Sequence, residues 1–500
     1  MINLREKPFN LSEEEIVWVN ETKKSMSLEE KVGQLFVMSN ITAVKELNSR
    51  LLSIKPGGVH VGFLSPEATK ENQQELINDL QNGSNIPLLI TGDLESGGSG
   101  GSTDGTNFGA LMQVGAMNDA EAALKFGQFT EAEGCAMGFN WAFGPVIDLN
   151  YNFENPIVNT RSLGDRPELV ERMSLQIIKG IQQNNSMAAC IKHWPGDGMD
   201  NRDQHKLTTK NSMNMQEWRN TYGKLYKSAI DAGVKTVMSA HISLPAYMEE
   251  LGITDIKRKY APGSLSSELN IKLLREELGF QGVIVSDATG MVGMDSYCSR
   301  KDLVPGCIAS GVDMFLFTND LEYDYNSMLE GVANGTITSE RLEEAVTRIL
   351  GLKASLKLNT MKKEGTLLKK PVELDVVGCQ EHLDFAFEIA KRSVTLVKDT
   401  QNLLPINPRK YKKVLLISIG SDGFIFSEAG TYDGKDVEEL LVKEGFEVKE
   451  YKDNLVTVSI QGNVMPLIHT LNNYEITNLD VKTQSLEELF MHYYGGKKNV

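Results

Sequence analysis

Between residues 30 and 350 the chain alternates short apolar runs with amphipathic stretches. The runs are Val32 to Met38, Gly57 to Phe63, Ile86 to Asp93, Phe139 to Leu149, Met187 to Trp194, Val234 to Ile242, Gly282 to Asp287 and Met314 to Phe317. Eight strand candidates separated by helical segments predict an α/β fold, a (β/α)8 barrel of the TIM type or a close variant of it. Several runs finish on polar residues: Asp93, Asp148, Lys192 with His193, His241 and Asp287. In such barrels the carboxyl ends of the strands form the mouth, so these side chains point to one pocket.

Beyond the barrel the pattern changes. Residues 353–373 are Lys-rich, with Lys362-Lys363 and Lys369-Lys370-Pro371, and look like a linker. A helix over 378–397 and strands at 413–419 and 446–451, with a helix at 437–443 between them, predict a second, partial α/β domain over 374–455. Residues 456–500 break that pattern. The predicted boundaries are therefore a barrel over 1–352, a linker over 353–373, a smaller domain over 374–455 and an atypical tail.

Composition narrows the function. A chain of 500 residues with 41% hydrophobic content can bury a large core and is long for one ordinary domain. With 51 Lys and Arg against 67 acidic residues, the net charge of -16 makes nucleic acid a poor partner. The first twenty residues carry Arg5 and Lys7 but no apolar core of a signal peptide, and no stretch reaches membrane-spanning length. A soluble, cytoplasmic protein with no membrane partner is expected. The five cysteines form no CxxC pair, and their odd number argues against a disulfide framework.

The chemistry concentrates in a few strings. Gln281-Gly282-Val283-Ile284-Val285-Ser286-Asp287 ends an apolar strand on a carboxylate facing Ala288-Thr289-Gly290, a position suited to a nucleophile. Lys192-His193-Trp194-Pro195-Gly196-Asp197-Gly198 follows another strand, and Asp203-Gln204-His205 comes five residues later. A His held by an Asp can deliver and recover a proton near neutrality. Each signal has a bland counterpart. A strand-end Asp often caps the next helix, and a loop His beside an Asp needs no chemistry at all.

These strings, with Asn155-Pro156 and Asn159-Thr160-Arg161-Ser162-Leu163-Gly164, resemble glycoside hydrolase family three in its bacterial β-N-acetylglucosaminidase branch. The resemblance implies Asp287 as the nucleophile of a retaining reaction, His205 as its acid/base and Asp203 as the residue orienting His205. It further implies sugar contacts from Asp93, Arg161, Lys192 and His193. Asp148 and His241 are read as supporting residues, and Trp141 and Trp194 as core. The expected substrate is a small oligosaccharide or glycoside, with no cofactor and no metal. Residues 374–455 resemble the start of the family's C-terminal α/β sandwich, and the last 45 or so residues resemble the tail of an ABC transporter ATP-binding subunit without its ATPase.

Two departures bear on specificity. Asp197 stands where the acetylglucosaminidases carry a second His, as in members that cleave β-glucans. After Asp93-Leu94-Glu95 a Gly-Gly-Arg segment is replaced by Ser96-Gly97-Gly98-Ser99-Gly100-Gly101-Ser102, which is expected to be mobile. An exo-acting β-N-acetylhexosaminidase is the leading reading. A β-glucosidase, a β-N-acetylglucosaminide phosphorylase and an inactive sugar-binding homologue stand as alternatives. Every residue given a chemical role lies between Asp93 and Asp287, so the chemistry is expected to survive loss of the chain beyond residue 353.

Overall fold

A computed structural model describes residues 2–410 except 41, 63, 64 and 408. The chain divides into a unit spanning Met1–Thr395 and a second unit from Leu396. In the first unit eight parallel strands form a nearly closed barrel: β1 (Phe36–Asn40), β2 (Gly58–Val61), β3 (Leu89–Gly92), β4 (Trp141–Ala142), β5 (Ala188–Trp194), β6 (Thr236–Ser239), β7 (Val283–Ser286) and β8 (Phe315–Leu316). Neighbours pair in sequence order, β8 returns to β1 through Phe36↔Phe315, and a bridge from Val285 to Met314 joins β7 to the entry of β8. The predicted barrel is therefore present, with seven strands inside their apolar runs and β1 overlapping its run and extending two residues past it. All seven residues of β5 are buried, as expected of a strand covered on both faces.

The crossover helices form where capping and apolar period agree. Ala120–Met137 starts at Asp119, whose side chain accepts from Glu121 N and Ala122 N at 3.0 and 3.3 Å. Pro167–Gln182 opens on Pro167 and turns Leu169, Val170, Met173, Ile177, Ile178 and Ile181 inward. Trp141 and Trp194 are fully buried, in agreement with the core reading.

The stretch read as a linker is instead part of this unit. The helix Ser339–Ser355 runs through Lys353, Leu358–Glu364 is a further helix, and Pro371–Val376 is a 3-10 turn. Leu356, Leu358, Leu367 and Leu374 are buried between the lysines and seat the stretch on the barrel. Lys362 reaches back to Gln81 O and Ser84 O, Lys357 pairs with Glu15, and Lys369 pairs with Glu373. The helix Gln380–Ser393 also belongs to this unit and packs against Leu111–Met117. The elements predicted over 413–451 and the tail from 456 lie outside the described residues. Among the described residues no helix is long and apolar enough to cross a membrane.

Candidate active site

The polar strand ends meet at the carboxyl end of the barrel. Asp93 follows β3, Lys192 and His193 lie on β5, His241 follows β6 and Asp287 follows β7. Asp148 stands beyond β4 in an extended segment, where Ile147 N donates to Lys192 O at 3.0 Å.

The hub of the cluster is Glu95, which received no role in the sequence reading. Arg161 grips it with two parallel hydrogen bonds, Nε to Oε2 at 2.9 Å and Nη2 to Oε1 at 2.6 Å, and the buried Lys192 ammonium also contacts Oε1. Lys192 Nζ lies 3.4 Å from Asp93 Oδ1, and His60 Nε2 lies 3.8 Å from Asp93 Oδ2. Burial works against the charge on Glu95, but Arg161 and Lys192 outweigh it and hold the carboxyl well below its ordinary pKa. Burial likewise opposes charge on Lys192, where Glu95 and Asp93 prevail and the pKa is raised. Asp93 keeps 48% of its side chain exposed, so it is left facing the opening.

His193 is fixed from both sides of its ring. Its Nδ1 lies 2.6 Å from Asp148 Oδ2, and its Nε2 is 3.4 Å from Arg161 Nη2. The Asp148 carboxylate also accepts backbone N–H groups from His193 at 3.1 Å and from Asp197 at 2.8 Å. Burial, with the nearby charge of Asp148, pushes Asp197 up to about 6. Asn155 braces this corner by donating to Asp197 Oδ1 at 3.0 Å and to Asp200 O at 2.7 Å. The Asn-Pro string thus supports the Lys192–Gly198 loop.

Asp287 donates its backbone N–H to Ser239 O at 2.8 Å, and its carboxylate accepts from Ala288 N at 2.8 Å. Burial disfavours its ionisation, yet His193 first, then His241, Ala288 N–H and His205, hold its pKa below the ordinary value. His241 is pinned between Ser264 Oγ at 2.8 Å and Ala288 O at 2.9 Å, and burial lowers its own pKa. On the loop between β5 and β6, Asp203 Oδ1 lies 2.7 Å from His205 Nδ1 and also accepts His205 N at 2.8 Å. Two backbone bonds tie this loop to the one after Asp287: Val292 N to His205 O at 3.0 Å and Gly293 N to Gln204 O at 3.1 Å.

The structure thus joins Asp93, Arg161, Lys192 and His193 in one polar cluster and sets Asp203 and His205 beside the Asp287 loop. Sequence reasoning missed Glu95 and His60. Glu95 stood in the quoted string Asp93-Leu94-Glu95, whereas His60 is the polar residue inside an otherwise apolar strand. The Gly/Ser segment expected to be mobile is compact, folding as 3-10 turns at Leu94–Ser96 and Gly98–Gly100 with Ser96, Gly98, Gly100 and Ser102 buried. Its glycines allow close approach: a Cβ on Gly100 would sit 1.8 Å from Asp93 O. Among the described residues no group of three or more His, Cys, Asp or Glu side chains is placed to hold a metal ion.

Residues 27–352 match the glycosyl hydrolase family 3 N-terminal domain. The chain belongs to this family. Family 3 membership makes it a glycoside hydrolase, and known relatives fall on both sides of the sugar question. A β-N-acetylglucosaminidase/β-glucosidase of Cellulomonas fimi is 39% identical over 456 residues, covering 90% of this chain and 79% of that protein. A solved β-glucoside phosphorylase, BglX, is 36% identical with a TM-score of 0.83, covering 93% of this chain and 82% of that one. A family 3 β-N-acetylglucosaminidase from Paenibacillus sp. is 25% identical with a TM-score of 0.72, covering 90% and 83%.

Proposed function

We propose that the protein is an exo-acting, retaining β-N-acetylhexosaminidase that removes terminal β-linked N-acetylglucosamine through a glycosyl-aspartate intermediate. The observation that carries this reading is the Asp203–His205 dyad, hydrogen-bonded by its loop to the loop of a carboxylate whose pKa is held low. Asp287 attacks the anomeric carbon as the glycosidic bond breaks, and His205 gives its Nε2 proton to the departing oxygen. Asp203 on Nδ1 fixes the tautomer and steadies the imidazolium. In the second step His205 takes a proton from the acceptor, which attacks the same carbon and frees Asp287. Asp93, Lys192, His193 and Arg161 hold the sugar hydroxyls, with Glu95 aligning the two cations.

A second reading changes only the acceptor. The likeness to a β-glucoside phosphorylase favours phosphate over water in the second step. An imidazole acid/base repels an approaching phosphate less than a carboxylate would. Both readings admit N-acetylglucosaminides and glucosides, in line with the double name of the Cellulomonas relative.

One kinetic series tests both. His205→Ala is expected to slow cleavage of unactivated disaccharides by roughly 10²–10⁴-fold, the worth of general acid catalysis, but to slow dinitrophenyl glycosides far less. Azide restores part of the deglycosylation rate. Equal losses for both leaving-group classes remove His205 from the acid/base role. Product analysis of the wild type with and without phosphate separates glycosyl phosphate from free sugar, and absence of any turnover of aryl glycosides leaves a sugar-binding homologue.

A further inference from the structure

Glu133 lies on the helix Ala120–Met137, behind the Gly/Ser segment, and is fully buried. Four donors converge on its carboxylate. Oε2 accepts Thr106 N at 2.8 Å, and Oε1 accepts Thr106 Oγ1 at 2.5 Å and Gly378 N at 3.2 Å, with His382 Nδ1 2.6 Å away. His382 is itself buried and stacks on Phe129 with ring centres 4.0 Å apart. Burying a carboxylate is costly unless its lone pairs are filled, and an apolar residue would avoid that cost. What the carboxylate supplies that an apolar residue cannot is a directional grip on two separate stretches, the loop at Thr106 and residues 378–382.

The grip leads to the candidate pocket through short, stiff steps. Gly98 lies directly against Glu133, since a Cβ there would sit 2.0 Å from Oε2. Ser99 N donates to Thr106 O at 3.2 Å and Phe108 N to Ser96 O at 2.7 Å, so both arms of the loop are tied together. The turn they carry presses Gly100 onto the backbone of Asp93 and Leu94. Two residues on is Glu95, the hub that aligns Arg161 and Lys192.

We infer that Glu133 and His382 form a positioning pair for Asp93 and Glu95, setting the depth at which the loop 96–106 seats and hence where both carboxylates stand in the sugar subsite. The inference rests on reading that pocket as the subsite for the bound sugar. It also gives the helix Gln380–Ser393, far from the chemistry in sequence, a part in substrate binding.

The test compares His382→Leu, His382→Asn and Thr106→Val, each assayed in the full chain on an aryl β-glycoside well below its melting temperature. His382→Leu fills the space against Phe129 without the donor and should raise KM about tenfold with kcat within about twofold, since displacing binding groups by a fraction of an ångström is felt by substrate. His382→Asn, whose Nδ2 can donate where His Nδ1 does, should return KM to within about twofold of wild type. Thr106→Val, losing one of the bonds to Glu133, should shift KM in the same direction but less. Wild-type KM in a folded His382→Leu protein, or equal losses in the Leu and Asn variants, overturns the inference. If His382→Leu fails to fold, an unchanged KM in Thr106→Val does so instead. Asp93→Ala is the control: unchanged KM there removes the subsite reading itself, whereas a raised KM beside a silent His382→Leu removes only the pair.

Discussion

Both ends of the barrel hold a carboxylate among cations, and they use it in opposite ways. At the amino ends of β7 and β8, Asp313 faces three guanidinium groups: Arg275 at 2.6 Å, Arg341 in close contact and Arg348 at 3.6 Å. Ile284 N fills a further site on it at 2.9 Å. These four side chains are 10% exposed or less, and the half-exposed Glu344 extends the cluster through Arg341 at 2.8 Å and Arg348 at 3.5 Å. At the mouth Glu95 binds two cations, yet Arg161 is 33% exposed, Asp93 48% and His205 39%. The lower cluster turns its cations onto one carboxylate away from the opening, and Arg275 Nε and Arg341 Nε stay buried without a hydrogen-bond partner. The upper one uses Glu95 to order Arg161 and Lys192 and leaves part of Arg161, Asp93 and His205 exposed at the opening.

The sharpest break of this contrast is to remove a charge at each end. Asp287→Asn should lower kcat by roughly 10³-fold or more while the thermal midpoint stays near that of wild type, because the lost group acts on substrate. Near-normal turnover by the purified variant would exclude the residue from the mechanism. Asp313→Asn should do the reverse. Stranding buried guanidiniums costs about 3–5 kcal/mol, seen as a lower urea midpoint, with the specific activity of the folded fraction kept. Loss of activity without loss of stability in that variant would dissolve the distinction between the two ends.

A smaller pair of effects sharpens it by pH. At the mouth, burial and Asp148 raise the Asp197 pKa from 3.8 to about 6. Its contribution to stability is full below about 4 and lost as pH rises through about 6. At the base Lys353 is buried with Gln34 Oε1 at 2.7 Å, and burial lowers its pKa from 10.5 to about 7. Its contribution is full above about 10.5 and lost as pH falls through about 7. Urea titrations should therefore show Asp197→Asn flattening the acid limb alone and Lys353→Met the alkaline limb alone. A change on the other limb in either case would assign that limb to a different group.

The barrel was legible because both-face burial writes strands as apolar runs, even where only two residues finally pair, as in β4 and β8. The proposed reacting groups could be singled out because Asp203, His205 and Asp287 sit in short strings with fixed spacing. Glu95 could not be, because its role depends on Arg161 and Lys192, 66 and 97 positions away, and nothing local reports that meeting. Lysine content hid the structural role of residues 353–373, where Leu356, Leu358 and Leu367 are buried and Lys357 and Lys362 find partners far away in sequence. The Gly/Ser composition misled for a related reason. Glycine permits flexibility in a free chain, but here it permits contact, and Gly98 and Gly100 are glycines because their neighbours leave no room for a side chain. Glu133 and His382, separated by 249 positions, gave no signal at all.

The two backbone bonds between the His205 loop and residues 292 and 293 tie the proposed proton donor to the loop that follows the proposed nucleophile. A displacement of either loop is thereby passed to the other through the backbone itself, whichever side chains stand on them.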